Sequence, residues 1–384
     1  MSKKTIIILG SSIIGILVLL LLIVWLITVF KPRYYSYEKV EEKIIQASDD
    51  YFKKNPESIP ANDGKYNLSY ASLEQNGYIK PLNELLKDGD SCNAEILVIK
   101  NGNNLNFIPR LTCGENYQTK ELYKQILSDN QVVTTGSGLY HANDTYFFRG
   151  KVENNYVALG STTKRKETID NLWQIISIES DNTIRIKSLT RFENKSSYDT
   201  RYNETKSNNV GYNDFKNSVF KDYLLKMQDD ETFLTATEKS KLVAKKLCAG
   251  FRKEDDTSKT GASECSVKTD EAMLYGTMLP YEYIRASLDQ NCKNVLDRSC
   301  ANFNYLANTD ISSEWSTIAD PVNDYYAYAF SGTGYSASTA KNLKNVYPTV
   351  YLNEYALYKS GTGTKDDPYR LFKKESTTTK KSTN

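Results

Sequence analysis

The side chains able to do chemistry are few in this chain. The single histidine, His141, lies in the polar stretch Tyr140-His141-Ala142-Asn143-Asp144, and any Ser-His-Asp relay would have to be built on it alone. A Cys-His nucleophile would need a free thiol, and the six cysteines form an even set. The acidic pairs Asp49-Asp50, Asp229-Asp230, Asp255-Asp256 and Asp366-Asp367 have the residue types for general acid–base work or Ca2+ binding. Their polar surroundings suit solvated charge and turns. Gly332-Thr333-Gly334 and Gly361-Thr362-Gly363 lack the lysine and the strand-to-helix context of a phosphate-binding loop, so they read as turns. No catalytic residue, cofactor site or metal site is assigned, and the chain is not expected to be an enzyme.

Cys92, Cys113, Cys248, Cys265, Cys292 and Cys300 are too widely spaced for a zinc site of the C-x2-C kind, and no C-x-x-C redox motif occurs. Disulfides formed outside the cytosol account for them better. Cys92 opens an apolar run, Asn101-Gly102-Asn103-Asn104 supplies a turn, and a second run ends at Cys113. An antiparallel hairpin with that turn brings both cysteines together. Cys248–Cys265 and Cys292–Cys300 would each close a local loop, although spacing alone leaves their connectivity open.

Binding is the other chemistry on offer. Tyrosine is abundant, at 29 residues, and combines apolar area with a polar tip. That suits half-wet sheet faces and also sugar-binding surfaces. Trp315 with Tyr325, Tyr326 and Tyr328 could stack on a ligand if exposed, although strand alternation turns about half of such residues inward. Trp173 and Trp315 also fit a core. The net charge is +2, from 49 basic and 47 acidic residues, and the basic clusters are short. That excludes the concentrated positive surface nucleic acid requires.

The elements that must carry these residues begin with a membrane anchor. Thr5 to Phe30 holds no charge, and at ~1.5 Å per residue a helix of this length exceeds the ~30 Å hydrocarbon core. The apolar stretch is longer than a signal peptide's and meets no cleavage site before Lys31, so an uncleaved helix is expected. Flanking charge is a near tie. The short N-terminal tip and the cysteines beyond the helix favour a cytosolic N-terminus and an extracellular body. Residues 36–52 read as an amphipathic helix with Ser36 as N-cap and Val40, Ile44, Ala47 and Tyr51 on one face. Residues 66–70 read as a short strand ahead of the hairpin. Further on, strands are expected around 145–150, 155–159, 173–178, 183–189, 315, 325–330 and 347–352. Helix-like spacing covers 212–226 and 236–248.

The expected plan is a cytosolic tip and anchor at 1–34, a small α+β module at 35–115, a linker at 116–138, a large mixed α+β ectodomain at 139–373 and a disordered tail at 374–384. Three stretches resemble a known pattern. Tyr156-Val157-Ala158-Leu159, the run 171–176 (NLWQII) and 181–186 (DNTIRI) open it; 300–306 and 315–318 continue it; 346–352 (VYPTVYL) and 361–369 (GTGTKDDPY) close it. The pattern resembles the large ectodomain of uncharacterised, membrane-anchored surface proteins of gut Firmicutes, over roughly 139–371. The resemblance implies a cell-surface location and a domain similar to the C-type-lectin/sulfatase-modifying-factor type of α+β fold. Residues 36–113 are similar to a type IV pilin-like module, although the pilin processing site is missing from Met1-Ser2-Lys3-Lys4-Thr5. The expectation is a single-pass surface protein that binds glycan or protein without catalysis. The alternatives are a subunit of a pilin-like or envelope assembly and, third, an extracellular enzyme.

Overall fold

Residues 34–164 and 167–372 are described by a computed structural model of the chain. The expected membrane helix and the 374–384 tail lie outside these residues. Among the described residues no helix is long and apolar enough to cross a membrane. Helix makes up 21% and strand 32%, in several sheets, which makes the chain mixed α+β. It divides into two units, 1–119 and 120–384.

In the first unit, helix α1 (Tyr37–Lys54) starts where Ser36 accepts a hydrogen bond from the Lys39 amide. Val40, Ile44, Ala47 and Phe52 bury one stripe, with Phe52 stacked on Phe107 at 5.7 Å. The strip faces an antiparallel meander in the order β1 (Gly64–Ser69), β2 (Cys92–Asn101), β3 (Asn104–Cys113) and β4 (Tyr117–Gln118). Gly102, at φ +58°, makes the tight turn that pairs Asn101 with Asn104. Nine residue pairs later the register sets Cys92 opposite Cys113, and the two are bonded. Short helices α2 (Tyr70–Gln75) and α3 (Leu82–Leu85) fill the β1–β2 connection.

The second unit begins inside the stretch expected as a linker. Tyr117–Gln118 is the last strand of the first sheet, whereas α4 (Leu122–Asp129) buries Leu122 and Ile126 in the second core. A linker would leave these apolar side chains in water; instead the second core takes them. The main sheet runs β13 (Thr349–Leu352), β9 (Ile184–Ser188), β8 (Glu167–Ile178), β7 (Tyr156–Lys164), β15 (Tyr369–Leu371), β14 (Tyr358–Ser360). Only the β7–β15 pairing in that row is parallel. A hairpin of β5 (Gly138–Ala142) and β6 (Thr145–Arg149) joins it along β8. A separate three-stranded sheet holds β10 (Glu314–Ala319), β11 (Tyr326–Phe330) and β12 (Tyr335–Thr339).

Helices are short here: α5 (Val219–Asp229), capped by Ser218, α6 (Ala236–Lys239) and α7 (Pro280–Ala286). The helix expected over 236–248 stops after one turn. From Leu242 onward the backbone bridges to Leu352, Met273 and Lys268, and Cys248 is bonded to Cys265. Those long-range partners outweigh the local helical spacing.

A tyrosine ledge as candidate binding site

Of the four aromatic residues expected to stack on a ligand, two are excluded by burial. Trp315 is 1% exposed on β10 and sends its indole N–H to the Ser196 carbonyl. Tyr328 is 0% exposed on β11 and its hydroxyl donates to the Arg252 carbonyl. Both strands are covered on both faces, so alternation no longer separates an outer side. Tyr325 and Tyr326 differ. They sit half-buried where the 320–326 loop enters β11, with ring centroids 4.4 Å apart and planes tilted by 51°. A hydrogen bond with Tyr325 pushes the Tyr326 phenol above its usual pKa.

A second loop, 199–213, meets the first. The buried Asp199 carboxylate accepts from the Thr200 and Tyr212 amides at 2.9 Å and from Arg201 Nε at 2.8 Å, which draws the loop's two ends together. Gly211 closes this neck at φ +79°; a Cβ there would fall 2.3 Å from the Asp199 carbonyl oxygen. Asn203, fully buried, donates to the Gly211 carbonyl and accepts from the Lys206 amide. Asn213 Nδ2 lies 2.7–2.9 Å from the carbonyls of Asp320, Asn323 and Tyr326, and so ties one loop to the other. Thr205 adds a hydroxyl bond to Asp324 at 3.0 Å.

On this frame four tyrosines reach solvent. Tyr202 is 56% exposed, and Tyr212, Tyr325 and Tyr326 are partly exposed. Lys206 Nζ stands 4.6 Å from the Tyr325 ring centre and the Arg201 guanidinium 5.3 Å from that of Tyr212. The arrangement offers flat apolar faces beside cations and amides, and no nucleophile–base pair. Such a surface stacks on a ring while hydrogen-bonding its rim.

Tyr202 and Tyr212 were not singled out from the sequence. A signal exists: Tyr202-Asn203 and Tyr212-Asn213 repeat one dipeptide, and each time the asparagine is buried as a clamp while the tyrosine faces water.

The other expected residues have plainer roles. All three cysteine pairs, Cys92–Cys113, Cys248–Cys265 and Cys292–Cys300, are disulfides, and no described cysteine is free. The one close metal-type grouping among the described residues, Asp88 with Cys92 and Cys113, is built on bonded cysteines that offer no thiolate. His141 is exposed and stacks on Tyr146 at 4.3 Å. Asp49 pairs with Lys53, Asp230 accepts from the Thr232 amide, Asp256 from the Ser258 amide and Asp367 from the Thr362 amide, so these pairs serve helix surface and turns.

The first unit holds a wider groove, about 1090 Å³, between α1 and the 77–85 segment. Its polar lining residues Lys43, Gln46, Asp50 and Glu74 are half-buried or exposed. It lacks the converging buried polar frame that holds the ledge rigid. Comparison with protein-family models, with curated proteins and with solved structures yields no match for this chain.

Proposed function

We propose that this is a single-pass membrane protein of the cell surface, with a cytosolic N-terminus and an extracellular body whose second unit binds carbohydrate without catalysis. The observation that carries the reading is the ledge of Tyr202, Tyr212, Tyr325 and Tyr326, held out by two buried asparagines. Tyrosine gives contact area at low conformational cost, and a prebuilt loop frame spares ordering entropy on binding. The charge-free run 5–30 supports the anchor. Three disulfides support an oxidising exterior. The two-sheet second unit is read as C-type-lectin/sulfatase-modifying-factor-like, and the whole as one of the surface proteins of gut Firmicutes that its closing motifs resemble.

The test is a glycan array probed with the full chain in detergent micelles. A defined subset of sugars should bind, and Tyr325→Ala with Tyr326→Ala should weaken that binding by about tenfold or more. A uniformly silent array, or signal indifferent to both substitutions, overturns the reading.

A second reading makes the protein a subunit of a pilin-like assembly. It is favoured by one feature, a helix laid on a four-stranded antiparallel meander in the first unit. Crosslinking in membranes that yields only monomer would remove it.

A further inference from the structure

The second unit pairs each of its fully buried cations with a carboxylate. Arg185 meets Glu282 at 2.5 Å, Lys187 meets Glu314 at 2.7 Å and Arg252 meets Glu264 at 2.7 Å. One half-buried corner of the same unit breaks that rule. Arg149 at the end of β6 bonds the backbone of Arg285 in the last turn of α7, and Lys259 in the loop after Arg252 lies close enough to Arg149 to feel its charge; no described carboxylate pairs with any of the three.

Arg149 has a structural task. Its Nε and Nη2 donate to the carbonyls of Arg285 and Ser287, both at 2.9 Å, and so close the C-terminal end of α7. Arg285 has no such task. Its guanidinium carbon lies 4.2 Å from the Phe147 ring centre and 5.2 Å from that of Tyr281. Aromatic contact occupies the faces of a guanidinium and leaves its edge, where the N–H donors lie, without an acceptor among the described residues. Lys259 also has no acceptor there, and its ammonium is pushed below the usual range by burial and by Arg149. Like charges held together in a half-dry site are unfavourable unless an anion joins them.

Beside the corner, Gly150 bridges to Asn304, and the preceding Phe303 is 56% exposed at φ +46°. A bulky residue rarely adopts that conformation. Lys151 Nζ stands 5.8 Å from this ring. One further cation, Lys151, is thus set beside a displayed aromatic face.

We infer that this corner is a second binding site, for the carboxylate of an acidic sugar: the Arg285 edge takes the two carboxylate oxygens, Lys259 adds charge, and Phe303 offers its face to the sugar ring. The planar fork of arginine matches a planar carboxylate with two parallel bonds. The ligand class rests on the carbohydrate reading above; the anion site rests on the unpaired cations alone.

Isothermal titration of the full chain in micelles, at low ionic strength, uses D-glucuronate as probe, D-glucose as uncharged control and sulfate as competitor. Glucuronate should bind at least about tenfold tighter than glucose. Arg285→Lys, which keeps the charge and loses the fork, should weaken glucuronate by about tenfold, and Lys259→Gln by a few-fold. Glucuronate that fails to bind, or that binds equally well to both variants, overturns the proposal. Displacement by an equal concentration of sulfate does so too, because it marks a non-selective anion site. The neutral-glycan array separates the two readings. Silence there with selective glucuronate binding sinks the ledge and supports the corner, whereas array signal without glucuronate binding sinks the corner alone.

Discussion

The two units bury charge in opposite ways. In the first, Glu41 on α1 is 1% exposed, and no cation among the described residues pairs with it. It is held by hydrogen bonds with the Thr119 hydroxyl and Tyr117, and burial pushes its carboxyl up to about 7. In the second, Arg185, Lys187 and Arg252 are each buried against a glutamate. The difference follows from coverage. A single sheet under one helix leaves its polar groups near an edge, where a carboxyl can be protonated and stay neutral. A sheet covered on both faces by long irregular segments shuts water out, and an arginine or lysine that stays charged there needs a counter-charge.

Removing one member of a buried pair should break the second unit most. Arg252→Ala strands Glu264 and also withdraws donors from the Asp256 and Ser258 carbonyls. A loss of about 3–5 kcal/mol is expected. Tryptophan fluorescence during denaturant unfolding reports it, since Trp173 and Trp315 both lie in that unit's core. A loss under about 1 kcal/mol would show that the pairs are not needed.

The next effect belongs to the first unit alone. Replacing Cys92 and Cys113 by serine frees a loop with a sequence separation of 21 and should cost about 2–4 kcal/mol. Limited proteolysis should then cut within 92–113 at unchanged fluorescence midpoint. A shifted fluorescence midpoint would mean that the units are coupled.

Glu41 sharpens the contrast through pH. Its folded pKa is raised, so the folded unit holds a proton that the unfolded chain releases. Stability is therefore greatest below the ordinary carboxylate range and falls as pH rises from 4.5 to about 7, by at most about 3 kcal/mol. Glu41→Gln should flatten that slope and stabilise the first unit above pH 7. Hydrogen exchange of α1 amides across pH measures it, and an unchanged slope in the variant would remove Glu41 as its source.

The smallest effect is expected on the ledge. Tyr325→Ala and Tyr326→Ala, at partly exposed positions, should each shift stability by no more than about 1 kcal/mol while binding drops. A larger shift in the fluorescence midpoint would mark the two rings as packing elements.

Several elements are legible in the residues themselves. Val40, Ile44 and Ala47 of the α1 stripe follow from spacing, whereas Tyr51, expected on that face, is half-buried and Phe52 packs inward in its place; the Cys92–Cys113 bond follows from two runs of equal length about one turn. β9 was expected over 183–189 and runs Ile184–Ser188. These are local matters in which period and turn chemistry settle the outcome within about twenty residues. The candidate site was legible only in part. Tyr325 and Tyr326 were marked by composition, while Tyr202 and Tyr212 stand out only once Asn203 and Asn213 are seen as clamps.

By itself the sequence determined the α+β class, the hairpin and its disulfide, and which residues share a strand face. The tertiary structure alone decided which faces stay wet. In β9, Arg185 and Lys187 alternate with Ile184 and Ile186 as if one side met water, yet all four are buried because segments more than ninety residues away bring Glu282 and Glu314 over them. The same covering hides Trp315 and Tyr328 and leaves Tyr325 and Tyr326 outside. Alternation reports the side on which a residue lies, and only packing from distant chain decides what that side touches.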